Sequence, residues 1–176
     1  MSEQTENQEK IDRFRHHYKE FIVPIAKEDA KKIQESLANV SVDKSMVLVS
    51  SKDMMKPTFA CLFAKKGFVS YKFMSAYSLL DVYLGNNEDY KTILDISADV
   101  VCLYLGYGEF ENKRQDDVII QLMSYLEQFK HHVWLYFKGG MNELRLNHGD
   151  LCQFIGSSGG AIVDMNHSSG GGGRVI

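Results

Sequence analysis

The chain has few of the features that would fix a membrane, secreted or DNA-coating role. It holds two prolines, one tryptophan and three cysteines in 176 residues. No apolar stretch approaches the roughly 20 residues a membrane span needs. The opening MSEQTENQEKIDRFRHHYKE is polar and has no continuous apolar segment, so no secretory signal is expected there. Cys61, Cys102 and Cys152 are odd in number and far apart, with no C-x-x-C pair. Cys61 and Cys102 sit in apolar runs and read as buried, reduced thiols, which suits a soluble, reducing compartment. Positive charge is not in excess either: the formal net charge is −3 and the pI about 6.1. A chain that gripped DNA alone through its phosphates would be basic on at least one face. Nucleic-acid contact is therefore expected only through a local patch or a surface shared with a partner.

What is present is an ordinary globular mix, 44% hydrophobic and 11% aromatic, long enough for one domain with a buried core. Residues 1–10 are polar and are expected to lack fixed structure. Helical patterns follow at 10–21, through Ile11, Phe14, Tyr18 and Phe21, and at 28–37. Met46, Val47, Leu48 and Val49 form a short unbroken apolar run, the mark of a strand buried on both faces. After a polar loop, a helix is predicted over 57–66, stopped by Gly67. A strand at 68–73, a short helix at 78–84 and a strand at 100–105 come next. A charged loop, 106–114, leads to the clearest helix, 116–129, with Ile119, Leu122, Leu126 and Phe129 on one face and Asp116 and Asp117 near its positive end. A fourth strand is predicted at 133–137. The runs 151–155 and 161–165, joined by Gly-Ser-Ser-Gly-Gly, read as a hairpin. The tail SSGGGGRVI is flexible by composition. Strands alternating with helices predict a mainly parallel, helix-covered sheet, with the hairpin as an antiparallel edge.

The informative stretch is strand, loop, lysine, helix over 46–66. A working phosphate loop wraps phosphates in glycine backbone N–H groups, sets a lysine on them and gives magnesium a Ser or Thr hydroxyl. Here the loop runs Ser50-Ser51-Lys52-Asp53-Met54-Met55-Lys56-Pro57-Thr58. Lys56 stands at the lysine position, but Ser50 and Met55 replace the two glycines and Pro57 replaces the metal-binding hydroxyl. Proline opens a helix comfortably but offers neither an N–H nor a metal ligand. The plainer reading is a strand-loop-helix with a surface lysine. The third strand tells against hydrolysis as well: where an acidic residue would order magnesium, it ends in Tyr104 and Leu105. The fourth strand ends Tyr136-Phe137-Lys138-Gly139, without an Asn, Gln or Ser to sense a terminal phosphate. A non-catalytic chain with no cofactor is expected.

On these residues the chain resembles the RecA-type recombinase fold, as in eukaryotic recombinase paralogues and Shu-complex-type mediators. Their pattern G-K-T-T-L-A-x-x-L-A is matched at Lys56, Thr58, Ala60 and Ala64, with Phe59 and Phe63 keeping the apolar positions. The resemblance covers about residues 45–170. It implies a RecA-like P-loop ATPase core at 45–167, preceded by a polar, helical lead at 1–44 and followed by a flexible tail at 168–176. It implies further a non-catalytic subunit that pairs with an ATP-binding recombinase paralogue and assists recombinase filaments on single-stranded DNA. DNA would be met mainly within that complex, and the expected setting is the nucleus, or the cytoplasm of a bacterium.

Members pack side by side, often through a Phe-x-x-Ala segment, and Phe73-Met74-Ser75-Ala76 has that spelling, so Phe73 and Ala76 are candidate partner contacts against a plain core reading. Lys130, Lys138 and Arg145, with His131 and His132, are candidate DNA contacts against a reading as solvated charge. Trp134 reads as core, with base stacking as the alternative. The pairs His16-His17 and His131-His132 are poor metal ligands, because adjacent residues do not share a face. A second class of reading is a degenerate AAA+ helicase-loader-like protein that binds a replicative helicase. A third is a pseudo-ATPase ring subunit of the smaller-Elongator type. The hairpin favours the recombinase type over the loader type, which ends in a small helical lid.

Overall fold

Short apolar runs that cannot face water on either side need helices above and below them, and the chain supplies both layers. The structure, a computed structural model, describes residues 3–84, 98–105 and 113–167. Its strands are β1 (Met46–Ser50), β2 (Tyr71–Ser75), β3 (Val100–Leu105), β4 (His132–Lys138) and β5 (Ala161–Asp164). All pair in parallel, in the order β2-β3-β4-β1-β5. Parallel neighbours require crossovers, which pass through α3 (Met55–Lys66), α4 (Ala76–Leu84), α5 (Lys113–Glu127), α6 (Met141–Asn147) and α7 (Gly149–Ser157). Two helices precede the sheet, α1 (Glu3–His17) and α2 (Lys27–Leu37), linked by a 3₁₀ turn at Lys19–Phe21.

The period of two in each strand sorts side chains onto two faces. Met46, Leu48, Cys102, Trp134 and Tyr136 meet an aromatic layer of Tyr18, Phe21, Phe59 and Phe63, beneath α2 and α3. Val47, Val49, Leu103 and Leu135 meet an aliphatic layer of Ile119, Leu122, Leu151 and Ile155, from α5 and α7. The helix after β1 thus lies on one face and the helices after β4 on the other. Between adjacent strands whose connections diverge in this way, a crevice opens at the carboxyl ends.

The predicted antiparallel hairpin is absent. Residues 151–155 lie inside α7, where Leu151 and Ile155 are one turn apart and both buried. The glycine-serine stretch is a helix end and turn: Gly159 takes φ +78°, and Gly160 N–H donates to Ile155 C=O at 3.1 Å. The chain then enters β5 beside β1 and parallel to it. The spacing of Leu151 and Ile155 was the missed helical signal.

Other boundaries move for local reasons. Residues 3–10 are helical, as part of an α1 that buries none of its own residues. β2 begins at Tyr71 rather than 68, because the Tyr18 hydroxyl donates to Gly67 C=O (2.7 Å) and accepts from Val69 N–H (3.0 Å), holding that segment off the sheet. Phe68 is half exposed as a result. α3 starts two residues early, with Pro57 inside its first turn. α5 stops at Glu127, and Lys130 beyond it sits at φ +58°. The expected tail at 168–176 and most of the charged loop at 106–114 lie outside the described residues.

Candidate phosphate-loop site

The crevice is bounded by the turn after β1, the end of β4 and the segment after β5. The register pairs Ser50 with Lys138 and Val49 with Asp164, which brings these three ends together. A phosphate nest would leave its N–H groups pointing at the ligand. Here they point at the protein. Ser51 N–H donates to Asn166 Oδ1 (2.6 Å), and Lys52 N–H to Ser50 Oγ (3.2 Å). Met54 N–H donates to Tyr136 Oη (3.1 Å), and that hydroxyl donates in turn to Lys52 C=O (2.5 Å). Tyr136 is fully buried, and burial raises its hydroxyl above the ordinary tyrosine range, so it keeps the proton it donates.

The lacing continues outward. Asn166 Nδ2 donates to Gly139 C=O (3.0 Å), and Gly139 N–H donates to Ser50 C=O (2.9 Å). Lys52 Nζ reaches Asp29 on α2 at 2.8 Å. The turn is therefore held from β4, from β5 and from α2. An added Mg-triphosphate would have to displace bonds already made inside the protein.

Each predicted loop residue has a definite place. Ser50 is buried and accepts the Lys52 N–H. Met55 and Lys56 open α3, with Lys56 exposed. Pro57 is half-buried on the outer side of the helix. Thr58 is fully buried, and its hydroxyl donates to Met54 C=O at 2.6 Å, so it serves its own helix start. At the end of β3, Tyr104 stacks on Tyr136 at 6.4 Å, and Leu105 is buried against the aliphatic layer. Two tyrosine rings thus lie side by side near the carboxyl ends of β3 and β4.

The candidate DNA contacts are not brought together. Lys130 precedes β4 and Lys138 closes it, so they lie at opposite ends of a strand about 20 Å long at ~3.3 Å per residue. Arg145, on α6, follows Lys138 on the carboxyl side. The histidines beside Lys130 are held by acids: His131 Nε2 lies 3.3 Å from Asp99, and His132 Nδ1 lies 3.0 Å from Glu127. Two bonds from Ser70 to Asp99, its N–H at 2.8 Å and its hydroxyl at 2.9 Å, hold that carboxyl below the usual carboxylate range.

Phe73 is half-buried and turns its ring onto Phe21 (5.4 Å) and Phe59 (6.3 Å), while Ala76 is fully buried. Trp134 is fully buried against Phe63. Cys102 is buried, Cys61 and Cys152 are half-buried, and burial raises all three thiols. Among the described residues no group of three His, Cys, Asp or Glu is placed to hold a metal.

Tyr136 and Asn166 are the residues sequence reasoning missed. Tyr136 reads as one more aromatic in an apolar strand. Its parity gives the face, since positions 132, 134, 136 and 138 alternate together, and the pairing of β4 with β1 sets Tyr136 beneath the turn.

No family model and no curated protein matches the chain. Solved structures do match. One, described as a DNA replication initiation factor, is 15% identical at TM-score 0.50, over 86% of this chain and 49% of its own. Another, the replication initiator DnaA bound to AMPPCP and single-stranded DNA, is 15% identical at TM-score 0.49, over 86% and 50%. The DnaC helicase loader is 19% identical at TM-score 0.43, over 83% and 90%. The chain spans about half the length of the first two. Its five-stranded parallel sheet flanked by helices is a fold it shares with the first of these.

Proposed function

We propose that the chain is a non-catalytic subunit built on a P-loop ATPase-type sheet, acting by binding a partner rather than by turning over a nucleotide. The observation that carries this reading is the Tyr136 hydroxyl seated in the turn after β1, bonded on both sides to the backbone of 52 and 54. A loop whose donors are occupied by its own protein binds phosphate only by breaking those bonds, each a net contribution of about 0.5–1.5 kcal/mol. Pro57, Tyr104 and Leu105 remove the metal ligands at the other two corners. The expected outcome is no magnesium-dependent turnover of ATP by the purified chain. Turnover that Lys56→Ala abolishes would defeat the reading.

The setting we infer is an accessory role in DNA transactions. Two forms of it differ in partner: a recombinase-paralogue subunit acting with an ATP-binding paralogue on recombinase–single-stranded-DNA filaments, or a helicase-loader-like subunit binding a replicative helicase. The hairpin that favoured the recombinase form is replaced by α6, α7 and a parallel β5, which removes that preference. Direct binding to a purified recombinase filament and to a purified replicative helicase separates the two, and binding to neither counts against both.

A further inference from the structure

Between Lys56 and Lys65, the outer side of α3 is an apolar stripe. The helix's inner side buries Phe59, Leu62 and Phe63, as a core-facing helix should. Its outer side, where charged residues are the rule, carries Pro57, Ala60, Cys61 and Ala64. A contiguous apolar patch rimmed by charge is the mark of an interaction surface. The linker ahead of α2 adds to that side: Ile22, Val23 and Ile25 are exposed by 42%, 36% and 36%. Together with Ala30, Ile33 and Gln34 of α2 these residues form a groove of about 260 Å³, and Gln34 is the single polar residue lining it.

The rim has a sign. At 100° per residue, Lys27 and Lys31 of α2 flank Gln34, whereas Glu28 and Glu35 lie further round, away from the groove. Lys31 has Glu35 at 3.7 Å, a loose exposed pair. On the opposite rim Lys56 precedes Pro57 and is exposed. Apolar floor and lysine rim describe a complement: an apolar stripe with carboxylates on both flanks.

We infer that the groove between α2, α3 and the 22–25 linker docks an amphipathic helix of a partner protein, its apolar stripe on Ala60, Cys61 and Ala64 and its acidic flanks on Lys27, Lys31 and Lys56. This rests on the reading of the chain as an interaction subunit and names the surface that does the work. It is a helix-in-groove contact, in which apolar anchors supply affinity and flanking charge supplies choice of partner.

Cys61 lies in the groove and Cys152 lies on α7, and both are half-buried. That gives a footprint with its own control. The full chain is alkylated with N-ethylmaleimide alone, with a synthetic helical peptide carrying a leucine stripe between glutamates, and with its lysine-flanked twin. At ten times its Kd the glutamate peptide should slow alkylation of Cys61 about tenfold and leave Cys152 unchanged. The lysine twin should protect neither. Ala64→Glu, at an exposed position, should abolish the protection, and Lys27→Glu with Lys31→Glu should transfer it to the lysine twin. No protection at millimolar peptide, equal protection by both peptides, or equal slowing of Cys152 would overturn the inference. So would Cys61 protection that rises with protein concentration without peptide, because the occupant would then be a second copy. ATP turnover is read separately: a chain that hydrolyses ATP yet shows this footprint keeps the groove and loses the non-catalytic reading.

Discussion

The two surfaces of α3 invert the usual division of labour on this kind of sheet. The turn ahead of the helix, where a ligand would be gripped, is full: three of its N–H groups are taken by Ser50, Asn166 and Tyr136. The outer flank of the same helix, ordinarily dressed in charge, is bare of it. Polar groups have been turned inward at the end of α3, and apolar ones left outward along its side. On the reading proposed above, loss of a phosphate site need not leave a hole. It leaves a rigid turn, and the helix it launches becomes available for other contacts.

If that contrast is right, the same size of change should be costly at the turn and nearly free on the flank. Tyr136→Ala is expected to have the largest effect. It deletes a fully buried ring and leaves the Met54 N–H only its bond to Lys52 C=O, so a loss of about 3–5 kcal/mol is expected by urea denaturation. Tyr136→Phe keeps the ring and removes only the hydroxyl. It should cost about 0.5–1.5 kcal/mol, because two hydrogen bonds are lost while Met54 N–H and Lys52 C=O keep each other. Asn166→Ala, on the more open side of the turn, should cost about 0.5–1.5 kcal/mol through the Ser51 and Gly139 bonds. Ala64→Glu on the flank should stay within about 0.5 kcal/mol of the parent. A turn variant as mild as the flank variant would break the comparison.

A smaller effect is set by pH. Burial raises the Tyr136 hydroxyl above its ordinary value of 10.0. A raised folded-state pKa gives stability that is complete below the unfolded value and fades as pH climbs toward the folded one. Stability profiles of the parent and Tyr136→Phe should therefore run parallel below about pH 10 and converge above it. Tyr18 and Tyr71 are also raised by burial, and they cancel in that difference.

Much of this was legible from residue order. The apolar run at Met46–Val49 and the helix through Ile119 and Leu122 are local facts, and they point to the parallel, helix-covered sheet that the structure has. What could not be read was partnership across the sheet. Tyr136 is 82 residues from the Met54 N–H it receives, and Asn166 is 115 residues from the Ser51 N–H. Such contacts depend on strand order, which the sequence does not state. The false hairpin at 151–165 had a different cause. A five-residue apolar stretch fits one helical turn or one short strand equally well, and the glycine-serine turn tilts the sequence reading toward a strand. Burial of Leu151 and Ile155 together, one turn apart, decides for helix.

The central claim is that the turn after β1 is closed to phosphate, and thermal melting with and without Mg-ATP tests it most directly. A closed turn predicts a Tm unchanged within about 1 °C at millimolar nucleotide. A ligand present at 100 times its Kd would add about 2.7 kcal/mol and raise Tm by roughly 5–10 °C. A rise of that size, lost in Lys56→Ala, would contradict the account.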